Sequence, residues 1–388
     1  MTTLRRAAQF CDQGLAPPER QAGLEAVSAR YAVALPEHLA QLIDPNDPQD
    51  PIARQFIPDA AELKQQAGES LDPIGDEAWS SVEGIVHRYP DRVLLKATHI
   101  CAVYCRFCFR REMVGPGKAK ALSTEALERA LDYIRTHTEI WEVILTGGDP
   151  LVLSARRLRS ILKALANIDH VKVVRIHTRL PIADPGRITP NLVRSMKIKG
   201  KPTYVAIHVN HPRELTADAR AACDLMANAG FPLLSQTVLL AGVNDTPEVM
   251  GALMRALVEC RIKPYYLHHG DLAPGTGHLR ADIATGQELM RKLRGRFSGL
   301  CQPSYVLDIP GGHGKSPAGP SYIEQARSND SAHFLVEDFN GRRHRYPPSS
   351  SLVPNGQKIE QRRGDGQGRE PDEHNGDHRM PDERHVTP

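Results

Sequence analysis

Short β-branched runs alternate with amphipathic segments from residue 92 onward, and this alternation constrains the fold more than any other feature of the chain. It predicts right-handed βαβ units around a parallel sheet. The candidate strands are Val93–Thr98, Glu142–Leu145, Val171–His177, Thr203–Val209, Pro232–Leu239, Pro264–His268 and Tyr305–Asp308. Segments with apolar residues at helical spacing lie between them, at residues 122–137, 154–168, 188–198, 216–230, 247–260 and 286–297. We therefore predict an α/β fold with a partial (βα)6-type barrel.

The regions on either side of the predicted barrel, which spans residues 86–307, differ from it in composition. Residues 1–85 are rich in Pro, Asp, Glu and Ala, and we predict a mostly helical segment. Residues 308–348 form a Gly-rich loop and a C-terminal extension, with a hairpin expected to turn at Asn340-Gly341. Residues 349–388 carry few apolar side chains, which predicts a disordered, charged tail.

Bulk charge and cysteine content exclude several classes of protein. A formal net charge of +3 over 388 residues is too close to neutral to indicate nucleic-acid binding, and no apolar run approaches the length of a membrane span. The seven cysteines are odd in number and only three are clustered, so a disulfide framework fits poorly. These features predict a cytoplasmic protein with neither a nucleic-acid nor a membrane partner.

The clustered cysteines, Cys101, Cys105 and Cys108, stand at C-x3-C-x2-C spacing. Thiolates are soft ligands that favour iron–sulfur clusters and zinc. Three thiolates can hold three irons of a cubane, which leaves the fourth iron open to a small molecule. Zinc usually takes paired cysteines and a fourth ligand, and no second pair is present. Spacing alone leaves zinc and buried free thiols as alternatives.

Unusual polar and glycine residues follow the ends of the predicted strands. The cysteine loop follows the first strand, Gly147–Pro150 the second, His177–Arg179 the third and His208–His211 the fourth. In a barrel of parallel strands the chemistry lies at the carboxyl ends of the strands. We therefore expect these segments to share one active-site mouth.

Several motifs in order resemble the lysine 2,3-aminomutase family of radical S-adenosylmethionine (SAM) enzymes, over about residues 50–330. The cysteine motif is followed by Phe109-Arg110-Arg111. The other matching segments are HRYPDRVLL (87–95), LTGGDPL (145–151), RIHTRLP (175–181), HVNHPRELT (208–216), LLAGVND (239–245), KPYYLHHGDLAPGTGHLR (263–280) and DIPGGHGKSP (308–317). The resemblance implies a radical SAM barrel that interconverts L-α-lysine and β-lysine by 1,2-amino migration.

The resemblance also implies the cofactors and the residues that hold them. Cys101, Cys105 and Cys108 would bind a [4Fe-4S] cluster. The residues that match SAM-contacting positions are Gly147, Gly148, Asp149, His208 and Gln236. Lys315 matches the lysine that forms a Schiff base with pyridoxal 5′-phosphate (PLP), which makes it the expected catalytic residue. Such enzymes need a one-electron reductant such as flavodoxin or ferredoxin.

Arginines and aspartates complete the implied site. Arg88 and Arg92 match positions that bind the PLP phosphate, and Arg110 matches the position that binds the substrate α-carboxylate. Asp271 and Asp308 match two carboxylates that receive the substrate ε-ammonium. Two carboxylates in one pocket repel each other unless a cation joins them, so the pair favours lysine over glutamate.

Two departures from the family pattern leave alternatives open. No cysteine follows Cys301, and Thr246 stands where zinc-binding relatives have a cysteine. We therefore expect no structural zinc, and the number of subunits in a possible homo-oligomer stays open. The Asp308–Gly312 loop is typical of the true mutases rather than of the branch that serves elongation factor P. The alternatives are a mutase for another amino acid, an enzyme of that branch, or a non-catalytic iron–sulfur protein.

Overall fold

The computed structural model describes residues 3–115, 121–328 and 331–347. The predicted disordered tail, residues 349–388, lies outside the described residues. Within the described ranges, no helix is both long and apolar enough to cross a membrane.

The N-terminal segment packs against the barrel and contains short helices and one short strand pair. Its strands are β1 (Thr3–Leu4) and β2 (Leu35–Pro36), which pair antiparallel. Its α-helices are α1 (Ala7–Asp12), α2 (Gln21–Arg30), α3 (Glu37–Ala40) and α4 (Ala53–Phe56). Helices are the main regular structure of this segment, and they are short because prolines recur along it and proline cannot donate the backbone N–H that a helix interior needs.

A nine-stranded sheet curls into a nearly closed barrel. In chain order its strands are β3 (Ile85–Tyr89), β4 (Arg92–Thr98), β5 (Glu142–Gly147), β6 (Val173–Thr178), β7 (Thr203–His208), β8 (Leu233–Val238), β9 (Ile262–His268), β10 (Ser304–Ile309) and β11 (Gly314–Pro317). Neighbours in the sheet are neighbours in sequence. The strands β4 to β10 run parallel, while β3 and β11 pair antiparallel at the two edges.

Helices connect the parallel strands on the outside of the barrel. They are α5 (Thr124–Thr136), α6 (Ala155–Ala166), α7 (Leu180–Ala183), α8 (Pro190–Ser195), α9 (Ala217–Asn228), α10 (Pro247–Glu259) and α11 (Ile283–Leu293). In α6 the apolar residues at i, i+3, i+4 and i+7 are all buried against the sheet: Leu158, Ile161, Leu162 and Leu165. Six such connections join seven parallel strands, which confirms the predicted partial (βα)6 barrel.

The edge strands β3 and β11 were not expected from the sequence. Both are short: β3 has only two buried apolar residues, Ile85 and Val86, and β11 is the four-residue segment GKSP, so neither carries the apolar run that marks a central strand. Tyr89 of β3 reaches across the gap between them, and its hydroxyl accepts a hydrogen bond of 2.7 Å from the backbone N–H of Lys315 in β11. The gap in the barrel is therefore bridged at the residue expected to carry the Schiff base.

A separate three-stranded antiparallel sheet follows the barrel, with β12 (Ile323–Ser328), β13 (Ser331–Glu337) and β14 (Arg343–Tyr346). β13 and β14 form the predicted hairpin, with Phe334 opposite Tyr346. Asn340-Gly341 lies within a five-residue connection, residues 338–342, rather than forming a two-residue turn by itself.

Candidate active site

A cavity of about 560 Å³ lies inside the barrel, and all fourteen residues predicted to form the site line it. They are Arg88, Arg92, Cys101, Cys105, Cys108, Arg110, Gly147, Gly148, Asp149, His208, Gln236, Asp271, Asp308 and Lys315. They come from β3, the cysteine loop and seven further strands or strand ends. The barrel thus places them around one volume, and their individual roles stay predictions.

The cysteine loop follows β4 and has three thiols close enough to influence one another. Burial raises the pKa of the Cys108 thiol to about 11, and the neighbouring Cys105 adds to this rise. Burial likewise raises the pKa of Cys101 well above its ordinary value, with Cys108 and Cys105 adding to it. Backbone N–H groups of Asp149 and Arg110 face Cys101 and Cys108, respectively. Soft donors that share a cavity wall and face N–H groups fit a cluster held by thiolates.

No group of three or more His, Cys, Asp or Glu within the described ranges is arranged to hold a single metal ion. A cubane cluster does not need three ligands around one metal ion, because each thiolate binds a different iron. Thr246 has a structural role. Its hydroxyl accepts the backbone N–H of Val249 and caps the start of α10.

Gly147 and Gly148 let the loop after β5 pass close to the cysteine loop. A Cβ at Gly147 would lie 2.4 Å from the carbonyl oxygen of Thr98, and one at Gly148 would lie 2.3 Å from that of Ile100. Gly147 also has a φ of +109°, which side-chain-bearing residues rarely adopt. Both glycines also line the cavity, so their contact with SAM stays a prediction, and the structure adds a close approach to the neighbouring backbone.

Asp149 is buried beside these glycines and is held by several donors. Its carboxylate accepts the Thr178 hydroxyl at 2.7 Å and the backbone N–H of Arg179 at 2.8 Å. Burial raises its pKa in spite of these hydrogen bonds. Asp149 therefore fastens the loop after β5 to the end of β6, at the cavity wall.

His208 and Gln236 lie on β7 and β8 and face the same cavity. Burial lowers the pKa of His208 well below its ordinary value, so its ring is neutral at physiological pH. Its Nε2 is buried and has no hydrogen-bond partner among the described residues. A buried polar atom without a partner is costly, which indicates a ligand contact at this position. Gln236 Nε2 lies 3.4 Å from Nε2 of His177, a cavity residue for which the sequence predicted no role.

A network of charges occupies the part of the cavity beside β10 and β11. Lys315 Nζ lies 2.7 Å and 2.6 Å from the two carboxylate oxygens of Asp308. Arg88 Nη1 lies 3.7 Å from the same carboxylate. Asp271 also lines this region, and burial raises its pKa to about 7, with Asp308 as the next contributor. His268 lies 3.9 Å from Asp308, but burial lowers its pKa to about 3, so it supplies no positive charge there.

Asp76 joins this network from the N-terminal segment, and the sequence analysis missed it. Its carboxylate accepts hydrogen bonds of 2.7 Å from Arg88 and 2.8 Å from Arg110, and it is 3% exposed. The nearby Trp79 donates its indole N–H to the carbonyl of Gly312, which places this segment against the Gly-rich loop. No local motif marks Asp76, because its role depends on how residues 1–85 cross the barrel mouth.

Arg88 and Arg92 line the same cavity but do not converge on one point. Arg88 is held by Asp76 and Asp308, whereas Arg92 bonds to Asp91 at 2.6 Å and lies 3.8 Å from the centre of the Tyr89 ring. The primary amine of Lys315 and the cation of Arg92 face the cavity together and fit an aldehyde cofactor that carries a phosphate.

Comparison with known proteins agrees with this arrangement. Residues 95–251 match the model of the Radical SAM superfamily. The L-lysine 2,3-aminomutase of Clostridium subterminale is 42% identical over 323 residues, which cover 83% of this chain and 76% of the relative. The Bacillus subtilis enzyme of the same name is 36% identical, with coverage of 87% and 70%. A glutamate 2,3-aminomutase of Clostridioides difficile is 40% identical, with coverage of 77% and 70%.

Sequence identity and barrel architecture lead to the same grouping. The match to the superfamily model includes the cysteine loop, and the longer matches extend through most of the chain. Enzymes for lysine and for glutamate match at similar identity, so identity alone does not separate these two substrates. The chain belongs to the lysine 2,3-aminomutase family of radical SAM enzymes.

Proposed function

We propose that this chain is an isomerase that interconverts L-α-lysine and β-lysine by moving an amino group between neighbouring carbons. Relatives named L-lysine 2,3-aminomutase support the reaction class. Membership of the family brings with it a [4Fe-4S] cluster, SAM and PLP. When bound, the cluster and SAM supply hydrogen-atom abstraction, and PLP supplies the electron-accepting ring that amino migration requires.

The observation that favours lysine as the substrate is the pair of carboxylates, Asp271 and Asp308. In the structure the Lys315 ammonium satisfies Asp308 at 2.6 Å. With PLP held by Lys315, this nitrogen would belong to the cofactor linkage and would no longer be an ammonium free to pair with Asp308, so the two carboxylates would need another cation. The ε-ammonium of lysine supplies one, whereas the side-chain carboxylate of glutamate would add a third negative charge. Neutral His268 offers no substitute.

Arginines at the cavity wall bind the negatively charged groups of the substrate and of PLP. Arg110, which Asp76 holds at 2.8 Å, presents a guanidinium to the substrate α-carboxylate. Arg88 and Arg92 supply positive charge for the PLP phosphate. The substrate is then held at its two ends, by a cation for its carboxylate and by anions for its side chain, which orients the carbons between them.

Apolar side chains keep water from the reacting carbons. Four of them line the cavity from β3, β4, β5 and β8: Val86, Leu94, Ile144 and Val238. A reactive radical abstracts hydrogen from whatever donor it meets, so a dry wall confines the reaction to the bound substrate.

Substitution of the aspartates tests the proposal. In reduced, reconstituted enzyme, Asp271→Asn should lower kcat/KM for lysine at least about 100-fold, because a buried cation without its partner costs about 3–5 kcal/mol. Asp308→Asn should do at least as much, since Asp308 also holds Lys315. Asp132→Asn, exposed on α5 and outside the cavity, is the control and should stay near the parent value.

Glutamate is assayed beside lysine with the same preparations. Full lysine turnover in Asp271→Asn, or a parent enzyme that prefers glutamate, would refute lysine as the substrate. Iron content is measured in each preparation, so that loss of the cluster is not mistaken for loss of substrate binding.

We further propose the cytoplasm as the location and a one-electron reductant, such as flavodoxin or ferredoxin, as the partner. All seven cysteines are free thiols in the structure, which suits a reducing compartment. The subunit count is a matter for solution measurement.

A further inference from the structure

Arg179, at the carboxyl end of β6, contacts one of the three thiols directly. Its Nη1 donates a hydrogen bond of 3.3 Å to the Cys105 sulfur. The guanidinium is 6% exposed and lies between aromatic rings, 4.7 Å from the ring centre of Phe56 and 5.4 Å from that of Phe107. Among the described residues, Cys101 and Cys108 receive no comparable donor from a charged side chain. Cys105 is therefore electrostatically distinct from the other two thiols.

The guanidinium is fixed by partners on its other side. Nη2 donates to Glu214 Oε2 at 2.5 Å and to Gln55 Oε1 at 2.9 Å. Glu214 is fully buried, and its other oxygen accepts the backbone N–H groups of Asn210 and His211 and the Gln55 amide. Both terminal nitrogens of Arg179 are therefore engaged by the protein, and its buried Nε has no partner among the described residues. Its position is set before any cofactor binds.

We propose that Arg179 is a positioning residue that holds the Cys105 sulfur through an N–H···S hydrogen bond and raises the potential at which the bound cluster accepts an electron. The inference rests on the proposed binding of the cluster by the three thiols, and it does not depend on the identity of the substrate. Glu214 moderates the effect, because its carboxylate balances part of the guanidinium charge.

The direction of the effect follows from charge. The cluster gains one negative charge when a one-electron reductant reduces it, and a cation in contact with a ligand sulfur stabilises that more negative state. Water screens this interaction little because the guanidinium, Gln55 and Glu214 are all buried. Hydrogen bonds to cluster sulfurs are a recognised means of setting the potential. Removal of Arg179 should lower the potential, whereas neutralisation of Glu214 should raise it.

A redox titration of the reconstituted full-length enzyme, followed by electron paramagnetic resonance of the reduced cluster, tests the proposal without turnover. Arg179→Gln should have a lower midpoint potential than the parent, and Glu214→Gln a higher one. Arg179→Lys keeps the charge but loses the planar fork, and its potential should lie between those of the parent and Arg179→Gln. A merely structural role would lower iron content without producing shifts of opposite sign.

Arg106→Gln is the matched control. Arg106 lies within the cysteine motif, is as deeply buried, and bonds to Glu62 rather than to a sulfur. Its loss should shift the potential less than loss of Arg179. If Arg179→Gln does not bind the cluster, the midpoint potentials of Arg179→Lys and Glu214→Gln are compared with that of the parent instead. An unchanged potential in both variants overturns the proposal. Equal shifts in Arg106→Gln and Arg179→Gln also overturn it. A parent protein without any cluster signal would instead refute the cluster assignment itself.

Discussion

Two ends of one cavity are built in different ways. At the cysteine end, Cys105 is held by Arg179, whose charge is balanced by buried Glu214, and Asp149 is held by a hydroxyl and backbone N–H groups. At the lysine end, charged side chains satisfy one another: Lys315 with Asp308 and Arg110 with Asp76. The first end is a fixed frame of hydrogen bonds, and the second is a set of ion pairs that ligands of matching charge can enter.

This difference indicates which end of the cavity selects the substrate. A frame of backbone donors and one buried ion pair cannot adjust to the charge of a substrate. The lysine end has cations and anions that share partners within one network, since Arg88 contacts both Asp76 and Asp308. We therefore expect the cysteine end to serve radical generation in any member of the family, and the lysine end to determine which amino acid is accepted.

The largest expected effects come from removing one group at each end. Cys105→Ala should abolish the cluster and all turnover, yet leave the PLP absorbance band, because Lys315 lies in β11 and not in the cysteine loop. Lys315→Ala should abolish the PLP band and turnover, yet leave the iron content unchanged. Ultraviolet–visible spectra and iron analysis of anaerobic preparations measure both. Loss of both cofactors in either variant would show that the two ends depend on each other.

A smaller effect is expected from the link between the N-terminal segment and the lysine end. Asp76→Asn leaves Arg88 and Arg110 without their shared carboxylate, so both guanidinium groups lose their orientation. We expect kcat/KM for lysine to fall about 10–100-fold, as small misplacements of binding groups do. Glu77→Gln, the exposed neighbour, is the control and should behave like the parent. Parent-like kinetics in Asp76→Asn would mean that the arginines are held by other contacts.

The pH dependence of lysine binding distinguishes the two ends further. Burial and Asp308 raise the pKa of Asp271 to about 7 in the ligand-free protein. Ionised Asp271 attracts the ε-ammonium, so lysine affinity should fall about tenfold per pH unit below this pKa. The free energy of unfolding has the opposite pH dependence. A raised carboxyl pKa stabilises the fold at low pH, and this contribution is lost as pH rises through about 7. Calorimetric titration between pH 5.5 and 8.5, roughly one to two units on either side of this pKa, measures the affinity, and Asp271→Asn should remove the slope.

The smallest expected effect lies away from both ends. Thr246→Ala removes the cap of α10 and should lower the free energy of unfolding by about 1 kcal/mol, with kcat/KM unchanged. Thermal unfolding of the apoprotein measures it, and Thr246→Ser should retain the parent stability because it keeps the hydroxyl. A change in kcat/KM with either variant would show that the start of α10 influences the active site.

Much of the fold and most of the candidate site could be predicted because the signals are local. The strand Glu142–Gly147 and the helix Ala155–Ala166 have regular apolar spacing over a few turns or pleats, and hydrophobic burial alone places them. The strands β3 and β11 could not be predicted, because short edge strands pair only where a neighbouring strand offers backbone groups. The close approach of Gly147 and Gly148 to Thr98 and Ile100 could not be predicted either, since it depends on the backbone of another loop.

By itself, the sequence determined the alternation of strands and helices, the spacing of the three thiols and the order of the family motifs, all of which are properties of neighbouring residues. Only the tertiary structure decided that Asp76 joins Arg88 and Arg110, and that Arg179 reaches Cys105 across 74 residues of chain. Such contacts depend on the path of the chain around the barrel. Hydrophobic periodicity records which face of an element is buried, but not which distant charge is buried beside it.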